Sequence, residues 1–394
     1  MDKINEVLTR RVEKIYPSKE AFEKVLRSGK KISLYLGIDP TGVNLHLGHA
    51  IPLMKLQEFV ELGHHVIFLV GNFTALCGDP SGHEKTRKSL SQKEIEKNMV
   101  TYKKQASKIL NFTKAELKYN AEWLSKLTFA KIINLASNFT VQQMIERDLF
   151  QRRIKDKKPI FLHEFLYPLL QGYDAVAMNV DLQVGGSDQT FNMLAGRTLQ
   201  KIINNKELFV LTTKMITGLD GRMMSKTSGN TINILDSPSD IYGKVMSMVD
   251  ELIIEYFEMC TNVSLQTIEE HKEMLKANPM NLKKKLAWEL VKIYHGIKAA
   301  NEAQKNFEQV FQKRELPKEG ITTIPKLSGS ATITDALVEA GTVSSRSEAK
   351  RLITQGSVDI NDQTITDPQY NQISNNSIIK VGKRKFIKIS VNQK

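Results

Sequence analysis

Two histidines beside a glycine are the first side chains in this sequence that suggest chemistry. His46 and His49 are three residues apart and flank Gly48, and they follow a short apolar run at residues 32–36. That run is typical of a buried strand, and apolar residues then recur at intervals of three and four over residues 51–62, which predicts a helix. The histidines therefore lie at the start of a helix, where unpaired N–H groups and the helix dipole favour an anion such as phosphate.

The glycines of this turn do not form either of the common nucleotide-binding motifs. Gly37 and Gly42 have the spacing of a P-loop, but Val43 and Asn44 stand where that motif has lysine and serine or threonine. The G-x-G-x-x-G pattern of dinucleotide binding is absent as well. Taken alone, the stretch is equally compatible with a strand–turn–helix connection that carries two polar surface histidines.

A second stretch suited to phosphate chemistry lies far downstream. Residues 218–230 are rich in glycine, serine and threonine, and they include Arg222 and Lys226. A flexible basic loop can neutralise the charge on a leaving pyrophosphate in phosphoryl or nucleotidyl transfer. Viewed alone it is only a basic loop, so its meaning depends on the histidine turn upstream.

Three polar residues between these stretches are predicted to line a pocket. Tyr167, Gln171 and Asp174 fall at i, i+4 and i+7 of a segment with helical apolar spacing, so they share one helical face. A solvent-facing stripe is the alternative. Because the surroundings are strongly apolar, we expect these three groups to point into a binding pocket.

Alternating strand and helix patterns predict the fold class. Residues 66–70 form a second continuous apolar run, and residues 181–189 predict a later strand that ends in Gly185 and Gly186. We expect an α/β fold with a Rossmann-like, doubly wound parallel sheet and a ligand crevice at the carboxyl ends of its strands. The glycine pair would let a ligand approach the backbone, and Asp188 could accept from ribose hydroxyls.

Composition limits the class of protein further. The 394 residues suffice for two or three domains, and the net charge of +13 suits a polyanion such as nucleic acid, although a generally basic proteome would give the same value. Cys77 and Cys260 are the only cysteines, which excludes a disulfide framework or a multi-cysteine zinc site. Residues 1–6 contain no apolar signal region and no stretch approaches the ~20 apolar residues of a membrane span, so we expect a cytoplasmic protein.

We predict three folded domains. Residues 1–230 form the catalytic domain, with a mostly helical and charged insertion at about 89–160. Residues 231–315 have helical periodicity, for which a helix bundle with a purely structural role is the alternative. Residues 316–330 are predicted to be a linker, and residues 331–394 a small α+β module of two short helices and a strand pair.

These motifs together resemble one known family. Residues 46–49, His-Leu-Gly-His, and 224–227, Met-Ser-Lys-Thr, resemble in this order the two signatures of the class I aminoacyl-tRNA synthetases. Residues 167–174 and 184–189 are similar to the bacterial tyrosyl-tRNA synthetases, and residues 331–394 resemble the S4 RNA-binding module. The resemblance implies a tyrosine–tRNA ligase, which activates L-tyrosine with ATP to tyrosyl-adenylate and pyrophosphate and then transfers tyrosyl to the 3′ end of tRNA(Tyr).

The resemblance implies a set of side chains that bind tyrosine. The counterparts of Tyr35 and Asp174 bind the hydroxyl of the substrate, and the counterparts of Asp79, Tyr167 and Gln171 hold its α-amino group. Phenylalanine would leave a buried carboxylate and a phenol unpaired, so its rejection needs no editing site.

A second set is implied for catalysis and ATP binding. Thr41 and His46 would contact the γ-phosphate region while the tyrosine carboxylate attacks the α-phosphate, and Lys226 would stabilise the pyrophosphate. No general base is required, because the carboxylate nucleophile is already ionised. We expect Mg²⁺ to accompany ATP, held mainly by the phosphates and not by protein ligands. The implied catalytic residues are Thr41, His46, His49 and Lys226, and the implied ATP-binding residues are Gly37, Asp39, His46, Gly48, His49, Gly186, Asp188, Gln189 and Lys226.

The C-terminal module and the assembly are also covered by the resemblance. Its basic residues are expected to bind RNA, for which a solvated basic face is the alternative. A homodimer is implied by the family and by no pattern in this sequence. The residues expected to contact RNA are Arg346, Lys350, Arg351, Lys383, Arg384 and Lys385.

One position departs from the family pattern, and two other interpretations stay open. Met223 stands where the second signature usually begins with lysine, and Arg222 could supply the missing charge. An enzyme of the same fold for tryptophan is the first alternative, and it is disfavoured because an indole has no hydroxyl for Asp174 and Tyr35 to bind. The second is an inactive relative that only binds RNA, which the intact histidines and Lys226 disfavour and Met223 keeps open.

Overall fold

The computed structural model describes residues 2–81, 90–222, 224, 229–309, 321–324, 331–361, 363–374, 376–382 and 385–389. The chain divides into two compact units, Met1–Asn301 and Glu302–Lys394. The predicted α/β fold, with a parallel-sheet core, further helices and a C-terminal module that contains a sheet, is confirmed. The finer domain boundaries, including the linker at 316–330, stay predictions. None of the described helices is long and apolar enough to cross a membrane.

A six-stranded sheet forms the core of the first unit. Its strand order is β1-β6-β5-β2-β3-β4, and every neighbouring pair is parallel except β1 and β6. The chain passes from β2 to β3 on one side and reaches β5 on the other, so the order reverses at β2, where open α/β sheets bind ligands. The strands are β1 (Val12–Tyr16), β2 (Ser33–Ile38), β3 (His65–Val70), β4 (Ala115–Tyr119), β5 (Leu182–Gly186) and β6 (Phe209–Thr213).

Helices cover the sheet and continue beyond it. They include α3, whose apolar side chains are buried almost throughout, and α11 and α12, which pack together beside β5. The helices are α1 (Lys3–Val7), α2 (Lys19–Arg27), α3 (Leu47–Glu61), α4 (Thr74–Cys77), α5 (Gln92–Met99), α6 (Tyr102–Ala106), α7 (Ala121–Leu124), α8 (Phe129–Ala136), α9 (Val141–Ile145), α10 (Asp148–Lys155), α11 (His163–Met178), α12 (Thr190–Asn204), α13 (Pro238–Met246), α14 (Ile253–Cys260), α15 (Leu265–Ala277), α16 (Pro279–His295) and α17 (Ile297–Phe307).

The segment predicted as a helical insertion contributes a strand to this sheet. Strand β4 pairs in parallel with β3 from Ala115 to Tyr119. Its sequence, Ala-Glu-Leu-Lys-Tyr, has no continuous apolar run, because β4 lies at the edge of the sheet and its side chains are only partly buried. Apolar patterning therefore failed to predict a strand that carries site residues just beyond its end.

The second unit is built on a five-stranded sheet in the order β7-β11-β10-β8-β9. The two helices and the strand pair predicted for residues 331–394 are present, as α18, α19 and the antiparallel pair β10–β11. Strand β7 arises within the segment predicted as a linker and pairs in parallel with β11. These elements are β7 (Ile321–Ile324), α18 (Ile333–Glu339), α19 (Arg346–Thr354), β8 (Val358–Ile360), β9 (Gln363–Thr364), β10 (Ile378–Val381) and β11 (Lys385–Ile389).

Candidate functional site

Polar residues directly follow the carboxyl ends of three sheet strands. Asp39 comes after β2, Asn120 after β4, and Asp188 two residues after β5. Since the carboxyl ends of parallel strands lie at one edge of a sheet, these side chains converge on a single crevice. This crevice lies at the carboxyl ends of the strands, at the point where the strand order reverses.

The two signature histidines cap helix α3. His46 is the N-cap residue, and its Nδ1 accepts from the N–H of Gly48 at 3.2 Å. In return the Nδ1 of His49 accepts from the N–H of His46 at 3.2 Å, and the two rings lie 4.0 Å apart between centroids. Both Nδ1 atoms act as acceptors, so both neutral rings carry their proton on Nε2. The turn thus offers two imidazole N–H donors beside the helix N-terminus.

Gly48 leaves room for the ring of His46. A Cβ at position 48 would lie 3.0 Å from Cε1 and 3.1 Å from Nδ1 of His46, so the imidazole would have to shift by a few tenths of an ångström. Such a shift would disturb the N-cap hydrogen bond from the N–H of residue 48 to Nδ1 of His46.

The chain that leaves the second signature is joined to the first by backbone hydrogen bonds. The N–H of Leu47 donates to the carbonyl of Ile232 at 3.0 Å, and the N–H of Ile234 donates to the carbonyl of Leu45 at 2.9 Å. His46 is thereby paired with Asn233 in an isolated antiparallel bridge. Residues 232–234, which follow the second signature in sequence, are thus paired with residues 45–47 at the first signature.

The base of the second signature loop is held by Asp220. Its Oδ1 accepts from Asn230 Nδ2 at 2.8 Å and its Oδ2 from Arg222 Nε at 2.8 Å. Hydrogen bonds from Asn230 and then from Arg222 lower the pKa of Asp220 to about 2. Arg222, predicted as a possible substitute cation, is thus paired with Asp220. Lys226 and Met223 lie outside the described residues.

A buried carboxylate and a buried phenol form the deep end of the crevice. Asp174 of α11 is 2% exposed, and Tyr35 of β2 is fully buried. The Oδ1 of Asp174 accepts from the indole Nε1 of Trp123 at 2.8 Å, and its Oδ2 accepts from Asn120 Nδ2 at 3.2 Å. The Tyr35 hydroxyl donates to the carbonyl of Gln171 at 3.4 Å. Burial raises the pKa of Asp174 to about 8, and burial together with the Asp174 charge raises that of Tyr35.

Asp79 forms a second polar centre, nearer the mouth of the crevice. Its Oδ1 accepts from the N–H of Ser81 at 2.8 Å and from Asn192 Nδ2 at 3.5 Å. Its Oδ2 accepts from Gln189 Nε2 at 2.8 Å, and that same nitrogen donates to Asp188 Oδ2 at 3.1 Å. Gln189 therefore bridges a residue predicted to bind tyrosine and one predicted to bind ribose.

Tyr167 and Gln171 line the space between these centres. The Tyr167 hydroxyl donates to Asp39 Oδ2 at 2.9 Å, and burial followed by the charges of Asp39 and Asp79 raises the pKa of Tyr167. The Oε1 atom of Gln171 is buried and has no hydrogen-bond partner among the described residues. The shared face of α11 predicted from spacing thus lies in the crevice.

The remaining predicted nucleotide residues lie at the same edge. The N–H of Thr41 donates to the carbonyl of Asp39 at 2.8 Å in the turn after β2. Gly37 is the penultimate residue of β2. At Gly186 a Cβ would overlap the Asp188 carboxylate, so a larger residue would displace that carboxylate. Burial raises the pKa of Asp188.

Three residues that contact predicted site residues or their neighbours were missed by sequence reasoning. Trp123 and Asn120 hydrogen-bond Asp174 from a segment whose charged, helical pattern gave no sign of a pocket. Arg147 donates from Nη2 to Ser81 Oγ at 2.8 Å, and its guanidinium lies 5.2 Å and 4.8 Å from the rings of Phe150 and Phe191. Arg147 also lies in a charged helical stretch, so no local signal distinguished it.

In the second unit, the predicted RNA-binding residues of α19 are on the surface. Arg346, Lys350 and Arg351 are all exposed. The guanidinium of Arg346 pairs with Asp335 at 2.5 Å. The other three predicted positions are not described: residues 383 and 384 are absent from the described ranges, and only the backbone of residue 385 belongs to β11.

Comparisons with known proteins agree with this geometry. Residues 27–312 match the family model described as tRNA synthetases class I (W and Y), and residues 307–389 match the tyrosine–tRNA ligase SYY-like C-terminal domain. The tyrosine–tRNA ligase of Thermotoga maritima is 44% identical over 389 residues, covering 98% of this chain and 96% of the relative. The tyrosine–tRNA ligase of Haemophilus influenzae is 42% identical over 401 residues, covering 100% of this chain and 99% of the relative.

Solved structures show the same fold. A C-terminally truncated mitochondrial tyrosyl-tRNA synthetase of Aspergillus nidulans superposes with a TM-score of 0.68 at 23% identity, covering 79% of this chain and 95% of that chain. The tyrosyl-tRNA synthetase of Archaeoglobus fulgidus, complexed with L-tyrosine, gives a TM-score of 0.61 at 22% identity. The match covers 77% of this chain and 100% of that chain. At these identities the likeness concerns the fold alone.

Proposed function

The chain belongs to the class I tRNA synthetases of the tryptophan and tyrosine family, and we propose that the crevice described above is where it activates L-tyrosine with ATP. Its reaction is the ligation of tyrosine to tRNA, as in the full-length relatives. The tyrosine carboxylate oxygen attacks the α-phosphorus of ATP, and the bond from that phosphorus to the bridging oxygen of the leaving pyrophosphate breaks. The tyrosyl group of the adenylate then passes to the 3′ end of tRNA(Tyr), and AMP leaves.

The buried pair Asp174 and Tyr35 carries this assignment. The substrate hydroxyl donates to the Asp174 carboxylate and accepts from Tyr35, so both buried groups gain a partner. Phenylalanine lacks the hydroxyl, and tryptophan places an indole there, so neither would supply this additional partner to the two buried groups. Trp123 and Asn120 support the charged form of Asp174 by donating to both of its oxygens.

The α-amino group of tyrosine binds at the second polar centre. The ammonium replaces Gln189 on the Asp79 carboxylate and donates to the buried Oε1 of Gln171. This position is supported because that oxygen has no hydrogen-bond partner in the part of the chain that the structure describes. Tyr167 accepts the third N–H. Release of the Gln189 amide from Asp79 frees it to face the reacting carboxylate and α-phosphate, so that tyrosine binding prepares the nucleotide side of the site.

ATP binds along the turn between β2 and α3. The Nε2–H groups of His46 and His49, the N-terminus of α3 and the hydroxyl of Thr41 donate to phosphate oxygens, and these contacts strengthen as charge develops on the leaving group. Asp188 accepts from the ribose, and Lys226 neutralises the pyrophosphate. Within the described residues no cluster of three or more His, Cys, Asp or Glu side chains could hold a metal ion. Mg²⁺ that accompanies ATP would be held mainly by the phosphates, whose charge it would neutralise.

The active protein is a homodimer with a cytoplasmic location. An apolar surface supports the dimer: Phe129 is 77% exposed and Ile133 54% exposed on α8, and Leu162, just before α11, is 80% exposed. Helices α8 and α11 also border an apolar cavity of about 260 Å³. A second copy would cover this surface and remove it from water. The exposed cations of α19, Arg346, Lys350 and Arg351, contact tRNA phosphates.

Tyrosine-dependent ATP–pyrophosphate exchange tests the proposal. The native chain should exchange strongly with tyrosine and little with phenylalanine or tryptophan, and Asp174→Ala should lose exchange. Absence of exchange in the folded native chain would contradict the enzymatic assignment and favour a protein that only binds RNA. If Asp174→Ala still shows exchange, the enzymatic assignment stands. The proposed role of Asp174 in recognising the substrate hydroxyl would then be wrong.

A further inference from the structure

Side chains from α5 and α6 hold the backbone of the turn that leads into His46. They bind three successive regions of this turn, at residues 40, 42 and 43–45, although they come from a segment about 60 residues away in sequence. The contacts are Asn98 Nδ2 to the Pro40 carbonyl (2.9 Å), Tyr102 hydroxyl to the Gly42 carbonyl (2.6 Å), Thr101 Oγ1 to the Val43 carbonyl (3.3 Å), Gln105 Nε2 to the Val43 carbonyl (2.7 Å), and the Leu45 N–H to Gln105 Oε1 (2.7 Å).

Gln105 is the centre of this arrangement. Its amide donates to Val43 and accepts from Leu45, so it pairs with the turn as the peptide group of a neighbouring strand would. Gln105 has no exposed surface, and its Nε2 is oriented by a further hydrogen bond to Thr101 Oγ1 at 2.8 Å. Hydrogen bonds in such a buried site are strong and leave little freedom for the backbone they hold.

The segment that carries these side chains is itself fixed to the core. Ile95 of α5 is fully buried and Tyr102 of α6 is 2% exposed. After α6, the N–H of Asn111 donates to Gln57 Oε1 of α3 at 3.0 Å. The segment is thus attached to the helix that His46 caps, and it holds the turn relative to that helix.

We infer that Asn98, Thr101, Tyr102 and Gln105, called here the α5–α6 clamp, position the phosphate-binding turn for adenylate formation. The inference rests on the proposed function, in which Thr41 and His46 of this turn contact ATP. The hydrogen bonds described between the clamp residues and the turn all go to the backbone of the turn, so these residues act through it and not on the reacting atoms. An error of about 1 Å in a catalytic group can slow a reaction by about 100-fold, which makes such a clamp important for rate.

The full-length variants Tyr102→Phe and Gln105→Met test this role. The first removes one hydroxyl and keeps the ring. The second keeps the length of the side chain and removes both of its hydrogen bonds to the turn. Each should slow tyrosyl-adenylate formation at saturating tyrosine and ATP by about 10- to 100-fold. The Kd of tyrosine should change less than about twofold, because Asp174 and Tyr35 are untouched. Single-turnover transfer from preformed adenylate to tRNA should also be unchanged.

Gln200→Met is the matched control. Gln200 is also fully buried, and its Nε2 donates to a backbone carbonyl, that of Val180 at 3.0 Å, before the start of β5. It should lower thermal stability about as much as Gln105→Met and leave the adenylate rate unchanged. Equal adenylate rates in the native chain and in Tyr102→Phe and Gln105→Met, or equal losses in both half-reactions, would overturn the inference. A native chain without exchange would instead contradict the proposed function.

Discussion

The indole N–H of Trp123 donates to the carboxylate of Asp174 at 2.8 Å, across 51 residues of sequence. Trp123 comes from α7, just beyond the edge strand β4, and Asp174 comes from the middle of α11. The hydrogen bond favours the ionised carboxylate, whereas burial favours the protonated one and raises the pKa of Asp174 to about 8. The proposed hydroxyl-binding site is therefore built around a carboxylate whose charged form is only partly stabilised by the fold.

Replacing Asp174 with asparagine should stabilise the chain while removing its activity. The pKa of Asp174 is raised from 3.8 to about 8 in the folded protein, so the folded state binds this proton more tightly than the unfolded state. Its contribution to stability is therefore present at low pH and is lost as the pH rises from about 4 to about 8. Asp174→Asn should raise the Tm by at least about 2 °C at pH 8.5, and by less at pH 5, with little tyrosine-dependent exchange.

Thermal melts of both proteins at the two pH values check this expectation. Asp156→Asn, which alters an exposed carboxylate paired with Lys158, serves as the control and should show no such pH dependence. A lower Tm for Asp174→Asn at pH 8.5 would contradict the prediction, because it would mean that the ionised carboxylate is stabilising in the empty site.

Trp123→Phe should weaken tyrosine binding by removing a donor to the Asp174 carboxylate. A hydrogen bond to a charged group contributes about 1.5–3 kcal/mol, so the KM for tyrosine should rise about 10- to 100-fold. The pH at which tyrosine binding reaches half its maximum should also increase, since the ionised carboxylate of Asp174 loses a hydrogen-bond donor. Trp288→Phe is the matched control, because the Trp288 indole also donates, to Asn301 Oδ1 at 2.8 Å, but on the surface. An unchanged KM for tyrosine in Trp123→Phe would contradict the prediction, because it would show that the hydrogen bond from Asn120 alone is enough to support the Asp174 carboxylate.

Substitutions of His46 should separate its structural role from its chemical role. His46→Ala loses both the N-cap hydrogen bond and the Nε2–H donor, whereas His46→Asn restores a preferred N-cap and still lacks that donor. His46→Ala should lose about 1 kcal/mol of stability relative to His46→Asn. Both should slow adenylate formation by about 100- to 1,000-fold, as expected when one donor to a developing charge is removed. Native-like activity in His46→Asn would assign His46 a capping role only.

Glu58 should be essential for stability although it lies outside the crevice. It pairs with Arg11 and with Lys55, both at 2.5 Å, and these two cations are almost completely buried. Glu58→Gln would leave two buried charges without their counter-ion, at a cost of about 3 kcal/mol in the free energy of unfolding. Glu61→Gln, one turn further along α3 and exposed, should cost less than about 0.5 kcal/mol. Urea denaturation of both variants provides the measurement.

A charge placed on the exposed apolar surface should prevent dimer formation. Leu162→Glu adds a carboxylate where Leu162, Phe129 and Ile133 are proposed to meet a second copy, so burial would require its desolvation. Sedimentation should show a dimer for the native chain and a monomer for the variant at micromolar concentration. Ile297→Glu, at a position 58% exposed on α17, is the control and should remain dimeric. A monomeric native chain would contradict the homodimer.

Local sequence patterns were sufficient to predict the sheet strands that are buried on both faces. They were also sufficient to predict the helices with a regular apolar spacing. The runs at 32–36 and 66–70 became β2 and β3 because a fully buried strand needs apolar side chains on both sides. The i, i+4, i+7 spacing of Tyr167, Gln171 and Asp174 likewise predicted one face of α11. Edge strand β4 escaped prediction, since none of its side chains is fully buried and the strand therefore needs no continuous apolar run.

The sequence by itself determined the two signatures, their order and the types of the residues proposed to bind tyrosine. Each of these features is encoded within a few consecutive residues. Only the tertiary structure decided which distant side chains contact these residues. Trp123 donates to Asp174, Gln189 donates to both Asp79 and Asp188, and the α5–α6 clamp binds the turn before His46. The physical reason is that polar groups at the carboxyl edge of a parallel sheet must find partners when they are buried, and those partners come from whichever loops the topology brings to that edge.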